Sequence, residues 1–110
     1  MVIQQWHPTL PKSEIQSNQI YPVKVGEMKM ILVNFDGSIL AYRDTCPHEG
    51  FPLSVHGEIV EDRLVCNKHL WEFEGWSGEY IGRIKRPGCN LQNYETRENG
   101  GMIEVLVTLD

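Results

Sequence analysis

The chain is predicted to be all-β, an antiparallel sandwich or small barrel. Short runs rich in branched and apolar residues follow one another from Ile20 onward, and turn signals built from Gly, Asp and Asn separate them. Helix is limited to one possible turn, Lys12-Ser13-Glu14-Ile15, with Ser13 as its cap.

Taken in order, Met1 to Gln19 is polar, carries Pro8 and Pro11, and begins with an edge strand over about Val2 to Trp6. Strands are expected at Ile20 to Val25 and Met28 to Phe35, separated by Gly26-Glu27. Asp36-Gly37 then stands between Phe35 and the run Ser38 to Arg43, a strong hairpin signal. Two short strands, Glu58 to Val60 and Arg63 to Cys66, flank Glu61-Asp62, and Trp71-Glu72-Phe73 alternates as a third. Glu74 to Asn90 is Gly-rich and turn-prone, with a corner at Arg86-Pro87-Gly88. Leu91 to Arg97 reads as a strand, Asn99-Gly100-Gly101 as a turn, and Met102 to Leu109 as a closing strand with Ile103, Val105, Val107 and Leu109 on one face. His7 reads as a surface residue, His56 as a loop residue, and Trp6 and Trp76 as packing residues.

A length of 110 residues bounds the chain to a single domain, residues 1–110, with a modest core. Its 41% hydrophobic and 23% charged residues are ordinary for a globular protein. The net charge of −5 argues against nucleic acid and suits a partner with a basic docking face. Met1 to Ile20 has no basic start followed by an apolar run, and no stretch approaches a membrane span, so a cytoplasmic protein with no membrane partner is expected.

The chemistry is concentrated in Cys46-Pro47-His48-Glu49-Gly50 and Cys66-Asn67-Lys68-His69-Leu70-Trp71. Each half offers one Cys and one His, at C-x-H and C-x-x-H spacing, with seventeen residues between His48 and Cys66. Two thiolates and two imidazoles make a metal site. A structural zinc usually draws on C-x-x-C knuckles, whereas here Cys and His alternate within each half. That alternation suits a cluster of two unlike irons, with Cys46 and Cys66 on one and His48 and His69 on the other. A zinc site remains the alternative. Cys89 is left over, and no disulfide framework is implied.

The spacing closely resembles the signature of Rieske [2Fe-2S] proteins, and the resemblance extends over nearly the whole chain. It implies a Rieske-type sandwich with an inserted cluster-binding subdomain, about residues 44–73, made of two hairpin loops. It also implies one [2Fe-2S] cluster held by Cys46, His48, Cys66 and His69, shielded by a loop that Arg86-Pro87-Gly88 matches. High-potential members carry a further Cys in each ligand loop, joined as a disulfide, where this chain has Phe51 and Lys68; they also carry Gly-Ser where it has Leu70-Trp71. Both departures resemble the soluble ferredoxins of bacterial oxygenases. The run His69-Leu70-Trp71-Glu72-Phe73 is most similar to ferredoxins of diiron aromatic monooxygenases of the toluene-monooxygenase type.

That resemblance implies an electron carrier, not an enzyme, which passes one electron at a time from an NADH-dependent flavin reductase to a terminal oxygenase or hydroxylase. Pro47, Phe51, Pro52, Leu53, Leu70 and Trp71 would form an apolar apron around the His ligands, or simply the core of the subdomain. Ferredoxins of aromatic-ring dioxygenases and the small subunits of nitrite reductases are the alternatives.

Overall fold

In the computed structural model, residues 3–47, 50–68, 70–81 and 90–109 are described. Among them, three antiparallel sheets are formed. One has the order β1 (Ile3–Pro11), β11 (Met102–Leu109), β10 (Thr96–Asn99). A second runs β2 (Ile20–Val25), β3 (Met28–Phe35), β4 (Ser38–Arg43), β9 (Asn93–Tyr94). The third runs β5 (Gly57–Val60), β6 (Arg63–Cys66), β7 (Trp71–Glu74), β8 (Tyr80–Ile81).

β3 lies at the centre of the packing. Successive strand side chains point to opposite faces, and β3 is buried on both. Met30 and Leu32 pack in a cluster with Ile103, Val105 and Val107 of β11. Ile31, Val33 and Phe35 pack in a second cluster with Leu53, Leu64, Phe73, Cys46 and Cys66. The second sheet is therefore a middle layer, and the unbroken run Met30-Ile31-Leu32-Val33 is what a strand covered on both faces requires.

The β3–β4 hairpin follows from its turn. Asp36 and Gly37 have φ of +57° and +95°, the two positive values of a type I′ turn, and Phe35 pairs with Ser38 across it. Buried Asn34 is satisfied at both ends of its amide. Its Nδ2 donates to the Ile15 carbonyl at 2.8 Å, and its Oδ1 accepts from the Gly37 N–H at 2.8 Å.

Several local expectations are corrected. β1 runs on to Pro11 because β11 pairs with it from Ile3↔Leu109 onward, and an irregularity between Pro8 and Pro11 absorbs the prolines. His7 is consequently inside a sheet, opposite Val105; it is half-buried, with Nε2 buried and lacking a hydrogen-bond partner among the described residues, rather than a surface residue. The turn at Lys12–Glu14 is a 3-10 turn entered from Pro11 with no side-chain cap, so Ser13 does not cap it. The expected strand from Leu91 to Arg97 is two: β9 pairs with β4, and after Glu95 the chain crosses to pair β10 with β11. The turn-prone stretch after Glu74 contains β8, held to Glu72 and Phe73. His56 is the last residue of a short helix, α1 (Leu53–His56). Among the described residues no helix is long and apolar enough to cross a membrane.

Candidate metal centre

Cys46 follows β4 by three residues, and Cys66 is the last residue of β6. Both thiols are buried, at 1% and 0% exposure, neither is in a disulfide, and both belong to the cluster under β3. Two hairpins on different sheets thus deliver one thiol each into the same apolar layer.

The first loop is closed by its own backbone. The Cys46 N–H donates to the Phe51 carbonyl and the Gly50 N–H to the Cys46 carbonyl, each at 2.8 Å. Gly50 has φ of +78°, the left-handed conformation that a residue with a Cβ resists, and open space around it, so conformation and not crowding demands glycine there. Asp44 fixes the loop to α1. Its buried carboxylate accepts from the Ser54 N–H at 2.7 Å and from the Ser54 hydroxyl at 2.6 Å.

The second loop is the tip of the β6–β7 hairpin, where Cys66 pairs with Trp71. The Asn67 N–H donates to the His56 carbonyl at 2.8 Å, and Asn67 Nδ2 donates to Glu58 Oε2 at 3.0 Å, which braces the tip against α1 and β5. Leu70 has φ of +56° and is 72% exposed, so an apolar side chain is presented at the tip in a conformation that costs energy. Trp71 is half-buried and stacks on Tyr80, with ring centroids 4.4 Å apart.

Behind the loops the third sheet is fitted to the middle layer. Tyr42 donates its hydroxyl to the Gly75 carbonyl at 2.6 Å, and burial, with a lesser contribution from the Glu74 charge, pushes its phenol far above the usual range. A Cβ on Gly75 would come within 2.5 Å of both the Asp62 carbonyl and the Phe35 ring. Glu74 accepts from the Trp76 and Ser77 backbones at 3.0 and 2.9 Å. The Ser77 side chain first, and then these backbone donors, lower its carboxyl below the ordinary range.

Of the four residues singled out by spacing, Cys46 and Cys66 are brought together in one buried cluster. His48 and His69 lie outside the described residues, as do Glu49, Cys89 and the Arg86-Pro87-Gly88 corner. Among the described residues no group of three or more His, Cys, Asp or Glu gathers. The donor chemistry that is described fits an iron–sulfur cluster: two buried thiols outside any disulfide, one in the loop three residues after β4 and one at the end of β6. The Asp44–Ser54 tie and the Tyr42–Gly75 bond were not legible as pairs, because ten and thirty-three positions separate them and nothing periodic links them.

The fold, the two buried thiols and the family match together define an iron–sulfur electron-transfer domain. The chain belongs to the Rieske [2Fe-2S] domain family, which matches residues 5–95, and its cofactor is one Rieske-type [2Fe-2S] cluster. It is 28% identical over 98 residues to the methanesulfonate monooxygenase ferredoxin subunit of Methylosulfonomonas methylovora, covering 89% of this chain and 77% of that protein. It is 35% identical over 80 residues to the ferredoxin component of the alkene monooxygenase system of Xanthobacter autotrophicus, covering 72% of this chain and 62% of that one. Longer proteins match too. The terminal oxygenase component of carbazole 1,9a-dioxygenase from a Sphingomonas species is 28% identical over 109 residues, of which the match spans 29%. Among solved structures, the reduced complex between oxygenase and ferredoxin in carbazole 1,9a-dioxygenase superposes with a TM-score of 0.79 at 21% identity, over 92% of this chain and 28% of that one.

Proposed function

We propose that this protein is the ferredoxin component of a multicomponent oxygenase, carrying one electron at a time from an NADH-dependent flavin reductase to a terminal oxygenase. The observation that carries this reading is the delivery of Cys46 and Cys66 into one buried cluster, with Leu70 exposed at the tip of the hairpin that carries Cys66. The relatives that bear ferredoxin names support it, since they match over 77% and 62% of their own lengths while the carbazole oxygenase component matches over 29%. Those two ferredoxins serve monooxygenases by name, which favours a monooxygenase recipient. A diiron hydroxylase of aromatic hydrocarbons is the finer reading, drawn from the His69 to Phe73 run. An NADH-fed donor places the carrier in the cytoplasm.

In this reading Cys46, His48, Cys66 and His69 hold the cluster, within a cluster-binding portion of about residues 44–73 of one Rieske domain. The bound cluster supplies a one-electron couple. The chain's own residues keep its surroundings from rearranging: Asp44 and Ser54 hold the first loop, and Asn67 holds the second. Leu53, Leu64 and Phe73 exclude water from the thiol side. Leu70 and the loop tips form the face offered to partners, and no substrate bond is made or broken here.

The test begins with anaerobically purified protein. Two irons, two acid-labile sulfides and a Rieske-type EPR signal on reduction are expected, followed by rapid single-turnover oxidation when a diiron hydroxylase encoded beside it is added. Stoichiometric zinc with no visible absorbance overturns the cluster reading. A reduced cluster that the hydroxylase fails to oxidise, but that a ring-hydroxylating dioxygenase oxidises, replaces the recipient.

A further inference from the structure

Phe51 belongs to the first loop and Lys68 to the second, and the Lys68 Nζ stands over the Phe51 ring, 5.2 Å from its centroid. Each is tied closely to one thiol. The Phe51 carbonyl takes the Cys46 N–H at 2.8 Å, and Lys68 is two residues beyond Cys66 and adjacent to His69. The half-buried Phe51 ring is in turn seated against His56, the last residue of α1, in an edge-on contact with centroids 5.5 Å apart. Chain separation between the contact and the thiols is therefore short on both sides. Any splaying of the two loops must pull the ammonium off the ring.

We propose that Lys68 and Phe51 act as a positioning pair, a latch across the two loops that slows loss of the cluster, and that the anchored ammonium favours the reduced form. The proposal rests on the assignment of Cys46, His48, Cys66 and His69 as ligands. A cation is drawn to the negative face of an aromatic ring, and the attraction grows as the pair is shielded from water. Lys68 is solvent-exposed, so the modest end of the range applies. A positive charge fixed beside a centre that gains an electron stabilises the product of that gain. Lys68 would otherwise sweep a wide volume on its flexible stem, and the Phe51 ring of the first loop confines it.

The test is a double-mutant cycle with Phe51→Leu, Lys68→Met and the double variant, with Lys68→Arg and Phe51→Tyr as controls that keep cation and ring. Iron release to a chelator from the oxidised holoprotein is the first readout. Each single variant is expected to release iron about two- to fivefold faster, the exponential of an exposed cation–π contact, and the double variant no faster than the faster single. The two controls should stay close to wild type. The second readout is the reduction potential by voltammetry, which should fall in Lys68→Met and be held in Lys68→Arg. Additive effects on release, or unchanged release in both singles, overturn the latch. An unchanged potential in Lys68→Met overturns the electrostatic half. Thermal unfolding of the same variants as purified reads the coupling of Phe51 with Lys68 separately. A failed ligand assignment would show as a wild-type protein that holds no iron, with that coupling still present.

Discussion

Removing the Asp44 carboxylate should loosen the first loop. The carboxylate is 8% exposed and accepts two short hydrogen bonds from Ser54, at 2.7 and 2.6 Å. Bonds to a charged acceptor contribute about 1.5–3 kcal/mol each, against about 0.5–1.5 for neutral ones. Asp44→Asn keeps one carbonyl oxygen for the Ser54 N–H and lets the hydroxyl reverse to accept from the amide. It loses only the charge assistance, about 2 kcal/mol over the two bonds. Asp44→Ala removes both bonds and strands two donors, about 3–5 kcal/mol, reduced by whatever desolvation the carboxylate no longer suffers. At roughly 4 °C per kcal/mol for a domain of this size, the Asn variant should melt about 8 °C lower and the Ala variant about 12–20 °C lower. Thermal unfolding followed by circular dichroism measures both. Amide exchange should locate the change, with the Ser54 N–H losing protection before β3 does. An Asp44→Ala protein melting within about 2 °C of wild type, with Ser54 still protected, would refute the idea that this pair holds the loop.

Tyr42→Phe should cost about 1–2 kcal/mol through loss of the 2.6 Å bond to the Gly75 carbonyl. It should also change the alkaline limb of stability. Burial raises the folded phenol, so the folded state keeps a proton that the unfolded chain sheds above about pH 10; stability is full below that pH and falls as pH rises beyond it. Denaturant midpoints should decline less steeply above pH 10 in the Phe variant, and parallel curves would contradict the assignment. Leu70→Gly should melt at or above the wild-type temperature, because about 1 kcal/mol of left-handed strain is relieved, yet should slow single-turnover electron delivery severalfold at unchanged iron content. Normal delivery would move the docking face away from Leu70. On the proposed ligand set, His69→Cys would add a negative charge at the iron, so any cluster retained should shift from roughly −150 mV towards the plant-type value of about −400 mV; voltammetry showing no shift would remove His69 from that set.

How much was legible follows from what each feature depends on. The hairpins at Asp36-Gly37 and Gly100-Gly101 were readable because adjacent residues alone set their positive φ values. The strands β2, β3, β4, β6 and β11 fall at the expected residues, since each carries its own pattern. The pairing of Cys and His in two short segments was readable for the same reason: metal-ligand spacing is local. What was not legible depends on partners far apart in the chain. The split of Leu91–Arg97 is decided by β4 and β11, which compete for adjacent stretches of backbone, and not by any residue within it. The shortness of α1 hides it as well, for four residues give no period to detect, and its place is set by Asp44 at its first turn. β3 shows how the two kinds of information meet. Its unbroken apolar run announces burial on both faces, which an ordinary two-layer sandwich would not require of a single strand. The second covering layer is the sheet that bears Cys66, so the extra hydrophobicity of β3 is the trace, in local sequence, of a non-local demand: the thiols must be seated on a rigid floor.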